Sequence, residues 1–596
     1  MFQTFTVTAR PEQGPPRLAA LRDAMATEAL DAYLVPRADV HQGEYVAPRD
    51  ERLAWLTGFT GSAGFCAVLC EEAGVFVDGR YRTQVKSQVA ADFTPIPWPD
   101  ITLGPWLCER LKPGAVVGFD PWLYTVGQVT DLDRTLAAND ITLKPTANLI
   151  DRIWADRPAP PDAPVRIHPI EFAGESHADK RARLAADLRE AGHKAAVLTL
   201  PDSIMWLLNI RGADIPRNPI AQCFAILHDD ARVDLFIDLT KLDGLADHLT
   251  DAVTPHAMQD FPDILSTLTG PVRLDKSSAP QAVHTLLADR AVFDAEPCAL
   301  PKARKNSVEI AGSAEAHLRD AAAMVELLAW LDAQTPGSLT ETTVVTQLED
   351  LRRRDNALRD ISFETIAGTG PNGAIMHYRV TEDTDSMLED GHLLVLDSGG
   401  QYLDGTTDIT RTIAIGTPGE AECRAFTRVL QGMIAMSRLR WPKGLAGRDI
   451  EAVGRMPLWL AGQDFNHGLG HGVGAYLSVH EGPQRLSRTS HVPLEHGMIL
   501  SNEPGYYREG AFGIRIENLL VVQEAGALPD SDPERTMLDW RTLTFVPIDR
   551  RLIVTGMLSR EDRDWLNAYH AQVAEKIMPR VGKHAQAWLT NAAAPI

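Results

Sequence analysis

This chain of 596 residues lacks the features that mark secreted, membrane-bound or thiol-based proteins. Its six cysteines are Cys66, Cys70, Cys108, Cys223, Cys298 and Cys423. They are scattered and none forms a CxxC pair, so we expect neither a thiolate zinc site nor a disulfide framework. The segment from Met1 to Arg10 has no apolar signal-peptide core, and no uninterrupted apolar run reaches the roughly 18 residues that span a bilayer. We therefore predict a cytoplasmic protein with no membrane partner.

Positive charge is also scarce in this chain. It has 58 Lys and Arg against 80 Asp and Glu, a formal net charge of -22 at pH 7 and a pI near 5.3. A protein that binds nucleic acid normally presents a basic surface, so we expect no nucleic acid partner. The acidity is compatible with a cationic or zwitterionic ligand, and equally with simple solubility.

The first half of the chain contains the same pattern of helix and strand twice. Its length alone favours about three or four domains. A helical pattern at 17–30 is followed by a strand-like run at 32–35. A second helical pattern at 183–192 is followed by a strand-like run at 195–200. This repetition predicts a duplicated α/β domain.

Two further features extend the repeat and separate its copies. A Trp-Leu pair follows in each copy, at Trp55-Leu56 and Trp206-Leu207, and we predict a strand at both places. The proline-rich stretch 156–164 sustains neither helix nor inner strand and is predicted to be a linker. We therefore expect α/β domains at residues 1–155 and 165–300.

A third domain is predicted to begin near Pro301. Asn306 can cap a helix there, and Glu309 occupies the reciprocal capping-box position. Helices are predicted from Asn306 and at 340–354, 420–440 and 448–460, with strands ending at 412–415 and again from Asn466 onward. Because the order helix, helix, strands occurs twice, we expect a domain at residues 301–534 made of two similar halves. The apolar stretch at 535–596 is predicted to dock on this domain or on a second subunit.

Five residues with side chains suited to metal binding lie in the last third of the chain. They are Asp397, Asp408, His471, Glu503 and Glu517. Four carboxylates and one imidazole suit a pair of hard divalent cations, and such a pair can activate water to cleave an amide without a reactive Ser or Cys.

The carboxylates lie at the ends of apolar strands. Asp397 ends one strand, and a turn at Asp404-Gly405 allows Asp408 to lie beside it on the returning strand. Glu503 ends another strand, and the run at 513–520 is predicted to be a single strand in which Arg515 and Glu517 share one face. Taken alone, each aspartate could instead be a turn or capping residue, and Arg515 and Glu517 could form a solvated ion pair.

Three histidines accompany these carboxylates. His467 and His471 have the spacing of a helical metal pair, but the three glycines around them favour an extended loop that packs closely against its neighbours. His480 follows nine residues after His471. A single histidine is more often a hydrogen-bonded core residue than a ligand, whereas the grouping makes a ligand role as reasonable as a structural one.

These motifs together resemble those of the pita-bread metallopeptidases of family M24, and specifically of the Xaa-Pro aminopeptidase (aminopeptidase P) family in its long, three-domain form. In the last third they are LDSG at 396–399, DGTTDITRT at 404–412, HGLGHGVG at 467–474, SNEPGYY at 501–507 and GIRIEN at 513–518. In the first half they are WLTGFTGSAG at 55–64, DGRY at 78–81 and WLLNIRG at 206–212. The resemblance implies an α/β (α+β) chain with two creatinase-N-like α/β domains, a pita-bread catalytic domain with pseudo-twofold duplicated halves, and a C-terminal extension.

The resemblance also implies a dinuclear metal centre. Asp397 would chelate one metal, His471 and Glu503 would hold the other, and Asp408 and Glu517 would bridge both. Four carboxylates and two divalent ions balance to zero formal charge. Manganese is the usual activating ion of the family, and Co²⁺, Zn²⁺ and Fe²⁺ are also compatible with these ligands.

The reaction implied by the resemblance is release of the N-terminal residue from peptides with proline in second position. A hydroxide bridging the metals would attack the carbonyl before proline, and Glu503 would relay a proton to the leaving nitrogen. His480 would stabilise the oxyanion, His377 and His467 would position substrate and exchange protons, and Arg515 would fix the bridging carboxylates. The family further implies a homodimer.

Three other functions are compatible with parts of this pattern. A prolidase would share the five ligands but cleave only Xaa-Pro dipeptides, and the doubled N-terminal domains and the C-terminal extension favour the aminopeptidase. A non-catalytic pita-bread binding protein and a metal-free hydrolase similar to creatinase are both disfavoured, because every ligand position is occupied.

Overall fold

The computed structural model describes residues 1–596 and contains two compact units. The first, here the C-terminal unit, comprises Met1–Val7, Glu171–Gly174 and Leu300–Ile596. The second, here the N-terminal unit, comprises Thr8–Ile170 and Glu175–Ala299. None of the helices combines the length and the apolar composition required to cross a bilayer.

The first half of the N-terminal unit is a six-stranded sheet with helices around it. Its strands are β1 (Ala32–Pro36), β2 (Phe65–Leu69), β3 (Ala73–Val77), β4 (Thr94–Pro97), β5 (Val116–Phe119) and β6 (Thr142–Pro145). Its helices are α1 (Gly14–Thr27), α2 (Arg52–Thr57), α3 (Val85–Gln88), α4 (Leu103–Cys108), α5 (Val126–Ala137) and α6 (Leu149–Ile153). The strand order is β4-β3-β2-β1-β5-β6, and β1 is antiparallel to β2 but parallel to β5.

The second half of this unit repeats that topology. Its strands are β7 (Arg166–Ile167), β8 (Ala195–Leu198), β9 (Ile210–Arg211), β10 (Phe224–His228), β11 (Val233–Phe236), β12 (Val253–His256), β13 (Val272–Leu274) and β14 (Ala291–Phe293). Its helices are α8 (His177–Glu190), α9 (Pro201–Leu208), α10 (Ala246–Leu249), α11 (Phe261–Thr267) and α12 (Gln281–Leu287), and the short helix α7 (Ile170–Ala173) that precedes α8 belongs, except for Ile170, to the C-terminal unit. The order β12-β11-β10-β8-β13-β14 has the same parallel and antiparallel pairings as the first sheet, which confirms the predicted duplication.

One prediction for these copies was wrong. The Trp-Leu pairs lie in helices α2 and α9 and not in strands. Each helix ends at a residue in the left-handed conformation, Gly58 at φ 87° and Asn209 at φ 51°. A short apolar run has no periodicity that separates strand from buried helix, so the helix ends were the only usable signal. The predicted linker at 156–164 contains neither helix nor strand.

The part of the C-terminal unit from Leu300 onward, together with Ala299 before it, contains eight helices and fourteen strands. The helices are α13 (Ala299–Ala303), α14 (Ser307–Asp332), α15 (Glu341–Arg352), α16 (Glu420–Ser437), α17 (Gly447–Ile450), α18 (Ala452–Trp459), α19 (Arg560–Ile577) and α20 (Lys583–Ala592). The strands of its first part are β15 (Asp360–Ile361), β16 (Ile366–Thr369), β17 (Leu393–Ser398), β18 (Gly400–Tyr402), β19 (Gly405–Thr406) and β20 (Ile409–Ala414). Those of its second part are β21 (Trp441–Pro442), β22 (Gly470–Gly472), β23 (Glu481–Leu486), β24 (Ile499–Asn502), β25 (Gly505–Arg508), β26 (Phe512–Arg515), β27 (Asn518–Glu524) and β28 (Met537–Thr542).

Two sheets of this unit position the metal-binding candidates. One has the order β16-β17-β20, and the other has the order β21-β28-β27-β24-β22-β23. A pair of helices precedes the strands of each sheet, as the sequence pattern indicated. Asn306 caps α14 and Glu309 completes the capping box, as predicted.

The structure changes two details of the predicted elements in this unit. The helix predicted at 448–460 is divided between α17 and α18. The strand predicted at 513–520 breaks at Ile516 and Glu517, and its two parts, β26 and β27, pair in different sheets. Alternating side chains therefore do not describe the relation between Arg515 and Glu517.

The C-terminal extension packs on the rest of this unit. Leu566 and Tyr569 of α19 belong to the same buried apolar cluster as Leu327 of α14 and Leu394 of β17. Arg580 adds an ion pair to Glu315, with 2.8 Å between Nη1 and Oε1. Of the two predicted docking partners, the structure thus shows the third domain of the same chain.

Candidate metal centre

Antiparallel pairing of β17 and β20 places the first two carboxylates side by side. Asp397 lies in β17 opposite Thr410 of β20, and Asp408 precedes β20 by one residue. Thr410 and Asp408 are two residues apart, so both lie on the same face of the sheet as Asp397.

The other three candidates come from the second sheet. His471 lies in β22, Glu503 follows β24, and Glu517 lies in the break between β26 and β27. The glycines around His471 are required by close packing. A Cβ added to Gly470 would stand 1.9 Å from the carbonyl oxygen of Ser501, which agrees with the close approach inferred from the sequence.

All five candidates converge, together with His480. Three overlapping groups have ligand atoms within 4.8 Å of one another, namely Asp397 with Asp408 and Glu517, His471 with Glu503 and Glu517, and Asp408 with His471 and His480. Six side chains from two sheets thus surround one small volume.

The carboxylates in this volume repel one another. Burial, and then the neighbouring carboxylates of Asp397 and Glu503, raise the pKa of Asp408 well above its usual value. Burial, followed by the same kind of repulsion, raises the pKa of Glu517 well above its usual value, and burial also raises the pKa of Glu503. The cluster therefore needs protons or cations to stay folded in this arrangement.

The unsatisfied atoms show that divalent cations fit this site. Oδ1 of Asp397, Oδ1 of Asp408 and Oε1 of Glu517 are buried and accept no hydrogen bond. His471 directs Nδ1 to the carbonyl oxygen of Gly472 at 3.0 Å, which leaves Nε2 facing Oδ2 of Asp408 at 3.5 Å and Oε1 of Glu503 at 3.4 Å. Free oxygen lone pairs and one imidazole nitrogen, all directed into the same volume, are the donor set that two hard divalent ions require.

Protein donors hold the remaining oxygens in place. Arg515 donates from Nη2 to Oδ2 of Asp397 at 2.6 Å and from Nε to the same oxygen at 3.2 Å. The hydroxyl of Thr410 donates to Oε2 of Glu517 at 2.9 Å, and that of Ser501 donates to Oε1 of Glu503 at 3.2 Å. Arg515 was predicted to fix bridging carboxylates, and in the structure it contacts Asp397 directly.

A hydrogen-bonded chain extends from this arginine to His467. Nη1 of Arg515 donates to the hydroxyl of Tyr507 at 2.6 Å, and that oxygen lies 3.0 Å from Nε2 of His467. Nδ1 of His467 lies 2.7 Å from the carbonyl oxygen of Gly468, so Nδ1 carries the proton and Nε2 accepts from Tyr507. Burial raises the pKa of Tyr507 to about 12, which keeps the phenol protonated.

Tyr507 and Thr410 are the contributors that sequence reasoning missed. Tyr507 belongs to the SNEPGYY motif at 501–507, but the sequence does not show which of Tyr506 and Tyr507 faces the site. The signal for Thr410 was available, because strand alternation places it on the face of Asp408.

The three histidines predicted to act beside the metal ligands, His377, His467 and His480, lie at different places relative to the cluster of carboxylates. The ring of His480 stands edge-on to that of His471 with centroids 4.4 Å apart, and Nδ1 of His467 lies 3.9 Å from Oε2 of Glu503. His377 lies in the turn after a 3₁₀ helix at Gly370–Ala374, which packs against the strand that bears Arg515.

A buried carboxylate anchors the turn that carries His377. Glu341 accepts from the backbone N–H of Thr369 at 2.7 Å, from the hydroxyl of Tyr378 at 2.8 Å and from the backbone N–H of Ser386 at 3.2 Å. Burial raises the pKa of Glu341 to about 7. This residue was not identified from the sequence, since a glutamate in the first turn of a helix is ordinarily a surface residue.

Family models match nearly the whole chain. The model of Metallopeptidase family M24 matches residues 311–524, and that of the C-terminal region of peptidase M24 matches residues 536–596. Two models of the Creatinase/Prolidase N-terminal domain match residues 17–153 and 156–309.

Individual proteins are similar over the same length. Aminopeptidase P2 of Arabidopsis thaliana is 37% identical, over 95% of this chain and 86% of its own. A probable Xaa-Pro aminopeptidase P of Laccaria bicolor is 37% identical, over 97% of this chain and 93% of its own.

Solved structures show the same fold. The crystal structure of an X-prolyl aminopeptidase from Caenorhabditis elegans, described as a cytosolic enzyme with a di-nuclear active site, has a TM-score of 0.94 and 33% identity, covering 98% of this chain and all of its own. An Xaa-Pro dipeptidase from Bacillus anthracis, at 23% identity and a TM-score of 0.51, covers 63% of this chain and 99% of its own. With its duplicated N-terminal sheets, its converging ligands and its full-length relatives, this chain belongs to the Xaa-Pro aminopeptidase P family of M24 metallopeptidases.

Proposed function

We propose that this protein is a metal-dependent aminopeptidase that releases the N-terminal residue from peptides with proline in second position. The observation that carries the proposal is the convergence of Asp397, Asp408, His471, Glu503 and Glu517 around unsatisfied buried oxygens. Full-length relatives named as Xaa-Pro aminopeptidases support the reaction and its substrate class.

The overlap of the ligand groups supports a division into chelating and bridging residues. Asp408 and Glu517 each belong to two groups, one that contains Asp397 and one that contains His471. Asp397 would therefore hold one ion, His471 and Glu503 the other, and Asp408 and Glu517 both. Four carboxylates and two divalent cations give zero formal charge, which relieves the repulsion that raises the pKa values of the metal-free cluster.

Two divalent cations held there would lower the pKa of bound water and polarise the scissile carbonyl group. Glu503 would relay a proton to the leaving nitrogen, as the family resemblance implies. His480, whose ring contacts that of His471, would donate to the developing oxyanion. His467 is held in one tautomer by Gly468 and Tyr507 and would position the substrate, and we assign a similar positioning role to His377.

Proline specificity follows from the relatives and from the chemistry of the bond. The amide before proline has no N–H, so a peptidase that recognises the scissile bond through that donor loses it. A site built from cations, carboxylates and histidines does not depend on it. A prolidase is the alternative, but the dipeptidase neighbour covers only 63% of this chain, and at 23% identity its similarity concerns the fold alone.

A peptide assay separates these functions. The protein should release the first residue from Xaa-Pro-Yaa, lose this activity with a chelator and regain it with Mn²⁺, while Xaa-Ala-Yaa remains a poor substrate. Cleavage of Xaa-Pro dipeptides alone would identify a prolidase, and no cleavage of either peptide with Mn²⁺, Co²⁺ or Zn²⁺ present would contradict both.

A matched pair of variants tests the ligand assignment. Asp408→Asn removes a bridging carboxylate and should lose both bound metal and activity. Asp539→Asn serves as the control, because this residue in β28 accepts from Gln523 at 2.9 Å and belongs to none of the ligand groups. Full turnover by Asp408→Asn would refute the assignment.

The remaining attributes are proposals as well. We propose Mn²⁺ as the resident ion, since hard oxygen ligands predominate, and metal analysis of the purified protein tests it. We propose a cytoplasmic homodimer with domains at 1–155, 165–300, 301–534 and 535–596. The cytosolic description of the Caenorhabditis elegans enzyme supports the location. A monomer in multi-angle light scattering would contradict the dimer.

A further inference from the structure

A buried arginine stands between the metal centre and the C-terminal extension. Arg411 lies in β20, three residues after Asp408, and only 2% of its surface is exposed. A guanidinium has five N–H donors in a fixed plane. All of its hydrogen-bond partners are carbonyl, amide or hydroxyl oxygens, and none is a carboxylate.

One side of this guanidinium holds the two segments that carry the proposed bridging ligands. Nη1 of Arg411 donates to the carbonyl oxygen of Glu517 at 2.6 Å and to that of Thr410 at 2.8 Å, and Nη2 donates to Oδ1 of Asn518 at 2.8 Å. The hydroxyl of Thr410 in turn donates to Oε2 of Glu517 at 2.9 Å. Arg411 thus fixes both the backbone of Glu517 and the residue that orients its carboxylate.

The other side of the guanidinium is held by the C-terminal extension. Nη2 donates to the carbonyl oxygen of Val546 at 2.8 Å and to the hydroxyl of Tyr569 at 2.9 Å, and Nε lies 3.2 Å from the carbonyl oxygen of Pro547. The hydroxyl of Tyr569 also accepts from the backbone N–H of Val546 at 3.2 Å. Tyr569 therefore completes a continuous series of hydrogen bonds, here called the circuit, that runs from α19 through Arg411 to Glu517.

Removal of one partner from this circuit has a local cost. The charge of a buried guanidinium is expensive, and burial lowers the pKa of Arg411. If the Tyr569 hydroxyl is absent, Nη2 of Arg411 keeps Oδ1 of Asn518 and the carbonyl oxygen of Val546 as acceptors, but the backbone N–H of Val546 loses the acceptor that Tyr569 provides. Val546 can then shift, and the guanidinium keeps its bond to the Val546 carbonyl group only by moving. Any such movement displaces its contact with the Glu517 carbonyl group.

We propose that Arg411 and Tyr569 are positioning residues for the metal centre, and that the C-terminal extension sets the geometry of the Glu517 carboxylate through them. The extension is then part of the framework of the metal site and more than a cover for the domain. This inference rests on Glu517 acting as a metal ligand, as proposed above.

The extension makes another contact with the domain that does not involve this circuit, and that contact provides a control. Nε1 of Trp588 in α20 donates to Oδ2 of Asp332 at 3.1 Å, at the end of α14, and neither residue is a hydrogen-bond partner of Arg411. Trp588→Phe removes that anchor and Tyr569→Phe removes the hydroxyl that contacts Arg411. Both variants weaken attachment of the extension, but only the second should change the metal centre.

The test measures metal retention in the full chain. Wild type, Tyr569→Phe and Trp588→Phe are loaded with Mn²⁺, and the release of the ion to a fluorescent chelator is followed at a temperature well below unfolding. Loss of an outer partner of a metal ligand typically weakens affinity about 10- to 100-fold. We expect Tyr569→Phe to bind Mn²⁺ about tenfold more weakly, with kcat lowered more than KM is changed, and Trp588→Phe to match wild type.

Each outcome of this comparison supports or overturns the proposal. Equal retention in all three proteins, or equal loss in both variants, would overturn it. Wild type that fails to retain two ions per chain would instead refute the proposed function on which the inference rests. The two failures are therefore distinguishable.

A second measurement needs only the wild-type protein, should Tyr569→Phe fail to fold. Coupling between two sites is reciprocal, so bound metal must also stabilise the circuit. Hydrogen exchange of the backbone N–H of Val546, which donates to Tyr569, should slow when Mn²⁺ is added, whereas that of α20 should not. Unchanged exchange at Val546, with slower exchange around Glu517, would overturn the proposal.

Discussion

Replacement of Arg515 by lysine tests how far the metal centre depends on a planar cation. Arg515 is 3% exposed and makes four contacts, two with Oδ2 of Asp397, one with the hydroxyl of Tyr507 and one with the hydroxyl of Thr410. Arg515→Lys keeps the positive charge that the carboxylates need. It loses the fork that joins three partners in one plane, because an ammonium is a compact point donor on a flexible stem.

The magnitude follows from the contacts that a lysine cannot make. An ammonium near Asp397 can keep one bond to that carboxylate and reach at most one of Tyr507 and Thr410, so two of the four contacts are not replaced. Two hydrogen bonds from a charged donor, each contributing about 1.5 to 3 kcal/mol, are then lost or weakened. The lower limit gives about 3 kcal/mol, or about a hundredfold decrease in kcat/KM.

The assay is steady-state cleavage of Xaa-Pro-Yaa at saturating Mn²⁺, with bound metal measured on the same samples. The control is Arg508→Lys, an exposed arginine at the end of β25 in the same hairpin as Arg515, which should behave as wild type. Arg515→Lys with kcat/KM within threefold of wild type would refute the reasoning. A decrease in kcat/KM that loss of bound metal explains completely would show that Arg515 acts in metal retention and not in catalysis.

The remaining predictions concern the same unit. Because the pKa values of Asp408 and Glu517 are raised without metal, binding of Mn²⁺ should release protons, measured by calorimetry in buffers of different ionisation enthalpy; a release of none would contradict the pKa argument. Tyr507→Phe removes the hydroxyl that contacts Nε2 of His467 and Nη1 of Arg515 and should lower kcat/KM about tenfold, and an unchanged value would exclude a role for this set of hydrogen bonds. The pKa of Glu341 is about 7 when folded and near 4.5 when unfolded, so the folded protein binds more protons between these values and loses up to about 3 kcal/mol of stability as pH rises. The melting temperature of wild type should therefore fall relative to Glu341→Gln between pH 5 and pH 8, and an equal difference at both pH values would count against it.

The ligand candidates could be identified from sequence because of where they occur. Asp397 and Glu503 each end a run of apolar residues that is recognisable as a buried strand, and a carboxylate is unexpected at such a place unless it has a partner. The glycines around His471 pointed to close backbone contact, which the 1.9 Å approach of Gly470 to Ser501 explains.

The parts that sequence did not yield depend on contacts between distant segments. Arg515 and Glu517 were expected on one face of one strand, but that strand ends before Ile516, and the chain then joins a second sheet. The local sequence pattern does not indicate that the strand ends there, because the residues on both sides of the break have strand-like composition. Glu341 was missed for the same reason, since its partners at 369–386 reach it only in the folded domain.

The arrangement of the carboxylate oxygens explains why this site can accept metal with little movement. Asp397 and Glu517 each have one oxygen fixed by a protein donor and the other buried without one. The fixed oxygen determines the direction of the free one, so the donors of Arg515 and Thr410 set the ligand geometry before any ion arrives. Protons can neutralise the empty cluster but cannot occupy all of its directed lone pairs at once, whereas two cations can. The sequence predicts which residues are ligands, and the hydrogen bonds that leave one oxygen of Asp397 and one of Glu517 free indicate where the proposed metals would bind.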